Sequence, residues 1–304
     1  MNLVFGASGF LGSQTTISLS NSCFSVNAIM RNSSNSWRLQ GRSEINIVKL
    51  KESEFTSYLE SVNPSVVIAA NWQGVRDSLR ADKKIQESSA QCILKLATAA
   101  KKSGVKTFVA FGSQAEVRRS NKKVTETYGN SPVGVYGGAK GLLAQELKEL
   151  FRNSKTRFCW VRPFSIYGPM DSATALVPQM FLAASRGITF EVANPNLSWS
   201  YLHISDFGTA MLKILGNEEL EGVINVGSTD SISILRIAQL AEREIKTLFP
   251  NWSGITLKEK SAFKGRIPIT AKLDESGWSA QVPIEKGIAE TVQWLSGSSD
   301  QLDV

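Results

Sequence analysis

The sequence predicts an α/β fold: a doubly wound parallel sheet with a smaller C-terminal α/β lobe interleaved into it. Three observations carry this expectation. Short runs rich in Val, Ile and Phe alternate with segments of helical periodicity through the first half of the chain, the pattern of parallel βαβ units. A glycine triplet, "GASGFLG", stands between the first apolar run and the first helix. Past Gly168 the alternation loosens but continues without an internal repeat or a low-complexity linker, so the second lobe grows out of the first.

In chain order, "NLVFG" reads as the first strand, with a helix from about Phe10; "VNAIM" and "PSVVIAAN" are the next strands. "IQESSAQCILKLATAAKKSG" has helical periodicity and stops at Gly104. "KTFVAFGS" is a short buried strand, "VYGGAKGLLAQELKELF" an amphipathic helix, and "RFCWVRPFSIYG" a strand running into a loop. The second lobe reads as a helix over 174–187, the strand "ITFEVA", a strand and helix in "SYLHISDFGTAMLKIL", the strand "GVINVGS" and the helix "SILRIAQLAEREIKTLF". It closes with "IEKGIAETVQWL" and a polar tail, "SGSSDQLDV", expected to be mobile. Residues 1–165 are expected to bind a dinucleotide, and 166–304 to form mainly the substrate lobe, with 196–215 returning to the first.

With 304 residues, 42% of them hydrophobic and 20% charged, the chain can bury a sizeable core. No apolar run approaches a membrane span, and a strand-like segment at residue 3 leaves no room for a signal peptide. Cys23, Cys92 and Cys159 lie singly in apolar surroundings and read as buried thiols of a reducing, cytoplasmic compartment. A single histidine argues against a His-based metal site or a catalytic triad, and no metal is expected. The net charge of +7 is dispersed: "KK" at 101–102 and "RRSNKK" at 118–123 are short and lack interleaved aromatics. They read as solvated surface, with neither nucleic acid nor membrane as partner; an anionic small substrate also suits the balance.

The glycine loop is where chemistry enters. Gly6 suits a tight turn, Gly9 a close approach of backbone to pyrophosphate, and Gly12 close helix–strand packing, while the helix N-terminus offers unpaired N–H groups to phosphate. After the second strand, where an acid would hydrogen-bond a ribose 2′-hydroxyl, "AIMRNSSN" offers Arg31, and no acid occurs from 22 to 43. An arginine there pairs with a 2′-phosphate. NADP(H) is therefore favoured over NAD(H), with Arg31, Asn32 and also Arg38 around the phosphate.

In "VYGGAK", Tyr136 and Lys140 stand four apart, on one face of a helix. A lysine ammonium near a phenol favours phenolate, which makes the tyrosine a usable acid or base near neutral pH. Gly137 and Gly138 are expected to leave room for a cofactor ring and a substrate.

With these motifs in order, the chain resembles the extended branch of the short-chain dehydrogenase/reductase superfamily, the NAD(P)-dependent epimerases, dehydratases and reductases of nucleotide sugars, over nearly its whole length. "GASGFLG" matches the cofactor loop, with Ser8, Phe10 and Leu11 between its glycines, and "VVIAAN", with Ala69 and Ala70, the strand that lies along the cofactor. "FGSQAEV" matches the strand end bearing the catalytic hydroxyl, "VYGGAK" the Tyr/Lys pair, and "RPFSIYGP" the loop that turns toward substrate. "WSYLHISDFGTAM", "INVGS" and "GWSAQVPIEKGIAETVQW" match later landmarks. The resemblance implies a Rossmann-type fold, Tyr136 as proton donor or acceptor at a sugar hydroxyl or ketone, and Lys140 binding the nicotinamide ribose and lowering the Tyr136 pKa. It also implies Ser165 at the sugar or phosphate, Leu176, Val177 and Pro178 along the nucleotide pocket, and a homodimer through the helices at about 85–103 and 136–152.

The departures from the family pattern select among reactions. The usual serine or threonine position is held by Gln114, so either Ser113, one residue earlier, or the Gln114 amide holds the substrate oxygen. Dehydrating relatives carry Asp-Glu next; here the pair is Ala115-Glu116, and an alanine cannot protonate a leaving hydroxide. His203 reads as structural, which disfavours epimerisation at neighbouring carbons. Trp199 and Ser200 replace an Arg-Asp pair; Trp199 stacks on a base or fills core, and Arg266 becomes the diphosphate candidate. What remains is NADP(H)-dependent reduction of a 4-keto group on a CDP- or dTDP-linked 6-deoxy or 3,6-dideoxy hexose, as in enzymes similar to CDP-abequose and paratose synthases. A C4 epimerase is the alternative, and a non-catalytic dinucleotide sensor is the rival from another class.

Overall fold

Strands whose residues are buried on both sides form the centre of the molecule. In the structure, a computed structural model, all residues are described except 77, 118–122, 128–131, 133, 260–265 and 299–304. Most of the "RRSNKK" cluster and the end of the polar tail therefore lie outside the described residues.

The chain runs β1 (Asn2–Phe5), α1 (Phe10–Asn21), β2 (Val26–Arg31), β3 (Asn46–Leu50), α2 (Phe55–Val62), β4 (Val66–Ala69), α3 (Lys83–Lys102), β5 (Thr107–Phe111), α4 (Gly134–Phe151) and β6 (Arg157–Pro163). Then follow β7 (Ile166–Tyr167), α5 (Leu176–Ser185), β8 (Phe190–Ala193), β9 (Ser198–Trp199), β10 (Leu202–His203), α6 (Ile204–Gly216) and β11 (Gly222–Val226). β12 (Ile232–Ser233), α7 (Ile234–Leu248), β13 (Ile255–Lys258), α8 (Ala271–Glu275) and α9 (Ile284–Ser298) complete it. Seven strands form one parallel sheet in the order β11-β6-β5-β4-β1-β2-β3, the doubly wound Rossmann arrangement.

The two-residue period of the strands sorts their side chains into two cores. Leu3, Phe5, Phe108, Ala110, Phe158 and Trp160 face α2, α3 and α4, and Val4, Val109, Phe111, Cys159 and Val161 face α1 and α6. Each fully buried Leu, Val or Phe among them contributes about 1.5–3 kcal/mol. A third core, with Val177, Met180, Phe181, Ile237, Leu240, Ile288 and Leu295, joins α5, α7 and α9 into the second lobe.

The two lobes interlock. Gly208 brings α6 so close to α1 that a side chain there would run into Ser18, and β11 adds a seventh strand beside β6. α8 covers that edge through Leu273, and Trp278 Nε1 donates to Thr209 Oγ1 at 3.0 Å. Cys92 and Cys159 are buried, but Cys23 is exposed. The expectation of three buried thiols is corrected there: Cys23 has φ of 60°, in the turn that leaves α1.

Candidate active site

At the end of β1 the chain reverses through Gly6, whose φ of +81° and Cβ position 2.5 Å from the Ala70 carbonyl admit only glycine. A side chain on Gly12 would run into the Gly6 carbonyl oxygen. Gly9 differs: its Cβ position meets nothing nearer than 3.4 Å and it is exposed, so it keeps one wall open to a ligand. Gly9 is the N-cap of α1 and no side chain caps that end, so the first N–H groups of the helix remain available to an anion. Phe10 and Leu11 pack inward and offer only backbone there. Ser8, Arg31, Ser34, Ala70 and Trp72 line the same groove, while Ala69 is fully buried beneath it. These features fit a dinucleotide diphosphate.

Arg31 ends β2 exposed, at the groove edge, with no partner for its guanidinium among the described residues. Asn32 is exposed and outside that lining; its N–H donates to the Leu50 carbonyl at 3.0 Å. Arg38 has a different task from the one expected. It donates to the Ser8 carbonyl and to the Met170 carbonyl, both at 3.0 Å, and its guanidinium lies 4.1 Å from the Trp37 ring centroid. It ties the glycine loop to the second lobe.

Tyr136 and Lys140 occupy the first turns of α4, both buried. Lys140 Nζ donates to the Phe111 carbonyl at 2.5 Å and lies 3.7 Å from the Trp72 ring centroid. Burial pushes the Lys140 ammonium well below the usual lysine range, against the pull of the Glu116 carboxylate. The Tyr136 phenol is raised above its ordinary value, chiefly by burial; the Ser113 hydroxyl and the Arg80 guanidinium pull it down and Glu116 pushes it up. The Lys140 ammonium is turned toward the Phe111 carbonyl and the Trp72 ring, beside the groove into which the glycine loop opens.

The short helical turn at Gln114–Glu116 carries the third contact. Ser113 caps it, its hydroxyl accepting from the Ala115 N–H at 3.1 Å, while the Glu116 carboxylate accepts from the Ser113 N–H at 2.5 Å. Glu116 also accepts from Trp160 Nε1 at 2.9 Å and Arg162 Nε at 3.3 Å, with no exposure at all. It is turned into the core, so neither Ala115 nor Glu116 offers an acid or base to a sugar. Gln114 Nε2 donates to Ser165 Oγ at 3.1 Å, and its Oε1 is buried without a partner. Ser113 therefore stands at the tyrosine, and Gln114 leads from there toward Ser165.

Ser165, with φ of 41°, opens a pocket that continues along Tyr167, Leu176, Val177, Pro178 and Tyr201. Trp199 is not among its walls. It sits in β9, paired antiparallel with Ile232, and Tyr201 presents an aromatic face to the pocket instead. Arg266 is also elsewhere: it is buried, and its Nε donates to the Val117 carbonyl at 2.7 Å. The cation in the pocket wall is Arg76, paired with the buried Asp171 at 2.7 Å. Sequence reasoning missed Trp72, Arg76, Arg80, Asp171 and Tyr201. The spacing of Arg76 and Arg80 just after β4 was the available signal for two of them. His203 caps α6, its ring nitrogen accepting from the Ser205 N–H.

The two glycines of "VYGGAK" also separate. A side chain on Gly137 would run into the Ala115 carbonyl, whereas Gly138 faces open space. Gly137 is thus a packing residue, not room for a ligand. Gly137→Ala is expected to push away the turn that carries Ser113 and Gln114, lowering the melting temperature and turnover together. Gly138→Ala, in the same helix, should stabilise by about 0.4–1 kcal/mol. Thermal melts of the two variants check this; equal shifts would contradict the packing role.

Comparison with known proteins bears on the family and the fold. The family model described as "NAD dependent epimerase/dehydratase family" matches residues 2–227. A dTDP-L-rhamnose 4-epimerase of Burkholderia thailandensis is 26% identical over 178 residues, 56% of this chain and 48% of that protein. A CDP-abequose synthase of Salmonella muenchen is 22% identical over 148 residues, 47% of this chain and 50% of that one. The chain thus spans about half the length of these curated relatives. A UDP-glucose 4-epimerase from Thermotoga maritima, solved with UDP-glucose, superposes with a TM-score of 0.81 at 21% identity, covering 98% of this chain and 100% of that one. An enzyme of Bordetella bronchiseptica, solved with NAD and UDP, gives 0.83 at 18% identity, covering 97% and 94%. At such identities the superpositions speak for the fold, and the matched family model speaks for descent: this chain belongs to the NAD dependent epimerase/dehydratase family of enzymes.

Proposed function

We propose that this chain is an NADP(H)-dependent reductase of the 4-keto group of a CDP- or dTDP-linked 6-deoxy or 3,6-dideoxy hexose. The observation that carries the cofactor choice is Arg31, a guanidinium at the groove edge after β2 with no partner among the described residues. A 2′-phosphate placed there gains a charge-assisted, two-pronged hydrogen bond. The state of Tyr136 supports the direction of reaction: a buried phenol held above its ordinary pKa is protonated at neutral pH, the form that gives a proton to a nascent alkoxide.

When bound, the nicotinamide supplies the hydride. The chain does the rest. The uncapped start of α1 holds the diphosphate, Ser113 keeps the Tyr136 phenol in place, and Tyr136 delivers its proton to the sugar oxygen. Gln114 and Ser165 take the neighbouring sugar hydroxyls, and the pocket past Val177 receives the nucleotide. Residues 1–165 serve the cofactor and 166–304 mainly the substrate. Among the described residues no helix is long and apolar enough to cross a membrane. A homodimer through α3 and α4 remains our proposal by analogy.

The test is binding and turnover with both cofactors. NADPH should bind at least about tenfold more tightly than NADH, and Arg31→Ala should erase that preference, since a charge-assisted hydrogen bond contributes about 1.5–3 kcal/mol. Loss of 340-nm absorbance with 4-keto-6-deoxy sugars on CDP, dTDP and GDP would identify the nucleotide. The second reading, a C4 epimerase, is favoured by neighbours solved with NAD. Retained NAD in the purified protein, with no net oxidation of either reduced cofactor, would replace the first reading with the second.

A further inference from the structure

We propose that Gln86, a buried side chain of α3, is a positioning residue: its amide fixes the loop after β4 so that Trp72 stands at the cofactor groove and Arg76 at the substrate pocket. This rests on the groove at Gly9 holding the dinucleotide and the pocket at Ser165 holding the nucleotide sugar.

The inward face of α3 is apolar from Ile93 onward, through Leu96, Ala97 and Ala100. Its first turns break that pattern. Gln86, Ser89 and Cys92, three residues apart on one side of the helix, are 0%, 3% and 9% exposed. Each meets its own residue of the loop. Cys92 Sγ accepts from Asn71 Nδ2 at 3.2 Å, Gln86 Oε1 from Trp72 Nε1 at 2.7 Å, and Ser89 Oγ from the Gln73 N–H at 3.1 Å. Gln86 Nε2 then donates to the Gly74 and Leu79 carbonyls at 2.8 and 2.9 Å, which draws the two ends of the turn together. An indole N–H only donates and a carbonyl only accepts, so these partners fix which way the amide points. Gly74 has a φ of +65°, and a side chain there would run into Gln86 Nε2 and the Leu79 carbonyl oxygen. The loop comes within reach of the amide only because residue 74 is glycine.

Burying an amide is costly unless its hydrogen bonds are made, and those of the Gln86 side chain all go to this loop. The loop serves both sites. Trp72 lines the groove with Gly6, Ser8 and Gly9. Arg76, four residues on, lines the pocket with Ser165 and Tyr201 and holds Asp171 of the second lobe at 2.7 Å. Gln86 itself lines neither. Without its amide the loop is free to leave the arrangement that both ligands need, and each apparent affinity falls with the fraction of competent loop.

The test uses the full-length protein and two variants. Gln86→Met keeps the length of the side chain without its hydrogen bonds, and Gly74→Ala opposes the same contact from the loop side. Without ligand, amide hydrogen exchange over residues 71–79 is expected to be at least about tenfold faster in both, with the C-terminal half of α3 unchanged. Calorimetric titrations, at a temperature where the variants are folded, should show NADPH, and dTDP or CDP, each binding about tenfold more weakly. Trp72→Phe should weaken the cofactor alone, and Asp171→Asn the nucleotide alone. A glutamine that serves stability only would lower the melting temperature and leave both affinities of the folded chain unchanged. That result, or unmoved exchange in both variants, overturns the proposal. A wild-type chain that binds no dinucleotide would instead overturn the function proposed above, and the exchange would still show whether Gln86 holds the loop.

Discussion

Tyr136→Phe is expected to cut turnover about 10²–10⁴-fold, the usual worth of a positioned general acid, with cofactor affinity unchanged. The substitution removes one oxygen and keeps the ring. The edge contact with Trp72, at 6.1 Å between centroids, and the guanidinium of Arg80 over the ring both survive it. Folding should therefore be nearly unaffected, and the Ser113 hydroxyl merely loses an acceptor. The loss belongs to proton transfer and should persist at saturating substrate. Single-turnover rates with cofactor titrations beside them make the measurement. A variant within tenfold of wild type would remove Tyr136 from the chemistry and bring the non-catalytic sensor reading forward.

The second large effect is on stability. Glu116→Ala is expected to cost about 3–5 kcal/mol, the range for breaking a buried ion pair by deleting one partner. Arg162 and Glu116 are 2% and 0% exposed, so the guanidinium would be left in the core with only a 3.4 Å contact to Asn225 Oδ1. The Trp160 and Ser113 N–H groups would lose their acceptor as well. Urea unfolding at pH 7 tests this directly. Glu116→Gln, which keeps the shape and one acceptor, should retain part of the stability. A loss under about 1 kcal/mol in Glu116→Ala would mean that Arg162 finds another partner. Catalysis should suffer beyond the stability loss, because Glu116 closes the turn on which Ser113 and Gln114 stand.

That turn shows how far reading the sequence could go. The order Gly112, Ser113, Gln114, Ala115, Glu116 was legible, including the absence of the acid that dehydration requires. Glu116 facing the core was not, because Trp160 and Arg162 reach it from a strand more than 40 residues away. The same division runs through the fold. Strands β1, β4, β5 and β6 were legible because burial on both faces writes an unbroken apolar run. β3, an edge strand with no fully buried residue, α2, of eight residues, and β13, paired with β8 outside the main sheet, carry weaker local patterns and were not identified.

What the sequence determined by itself is what the backbone enforces locally. Gly6 needs its positive φ wherever it sits, the run after Gly9 starts a helix without a cap, and Tyr136 and Lys140 share a face because four residues make one turn. The tertiary structure decided which charge meets which group. Arg38 crosses to the second lobe, Tyr201 takes the wall offered to Trp199, Arg266 turns to Val117, and Lys140 is drawn under Trp72 while Arg80 settles over Tyr136. Helical and strand periods act over a few residues along the chain, but a side chain's charge and burial depend on neighbours that only the packed fold brings near.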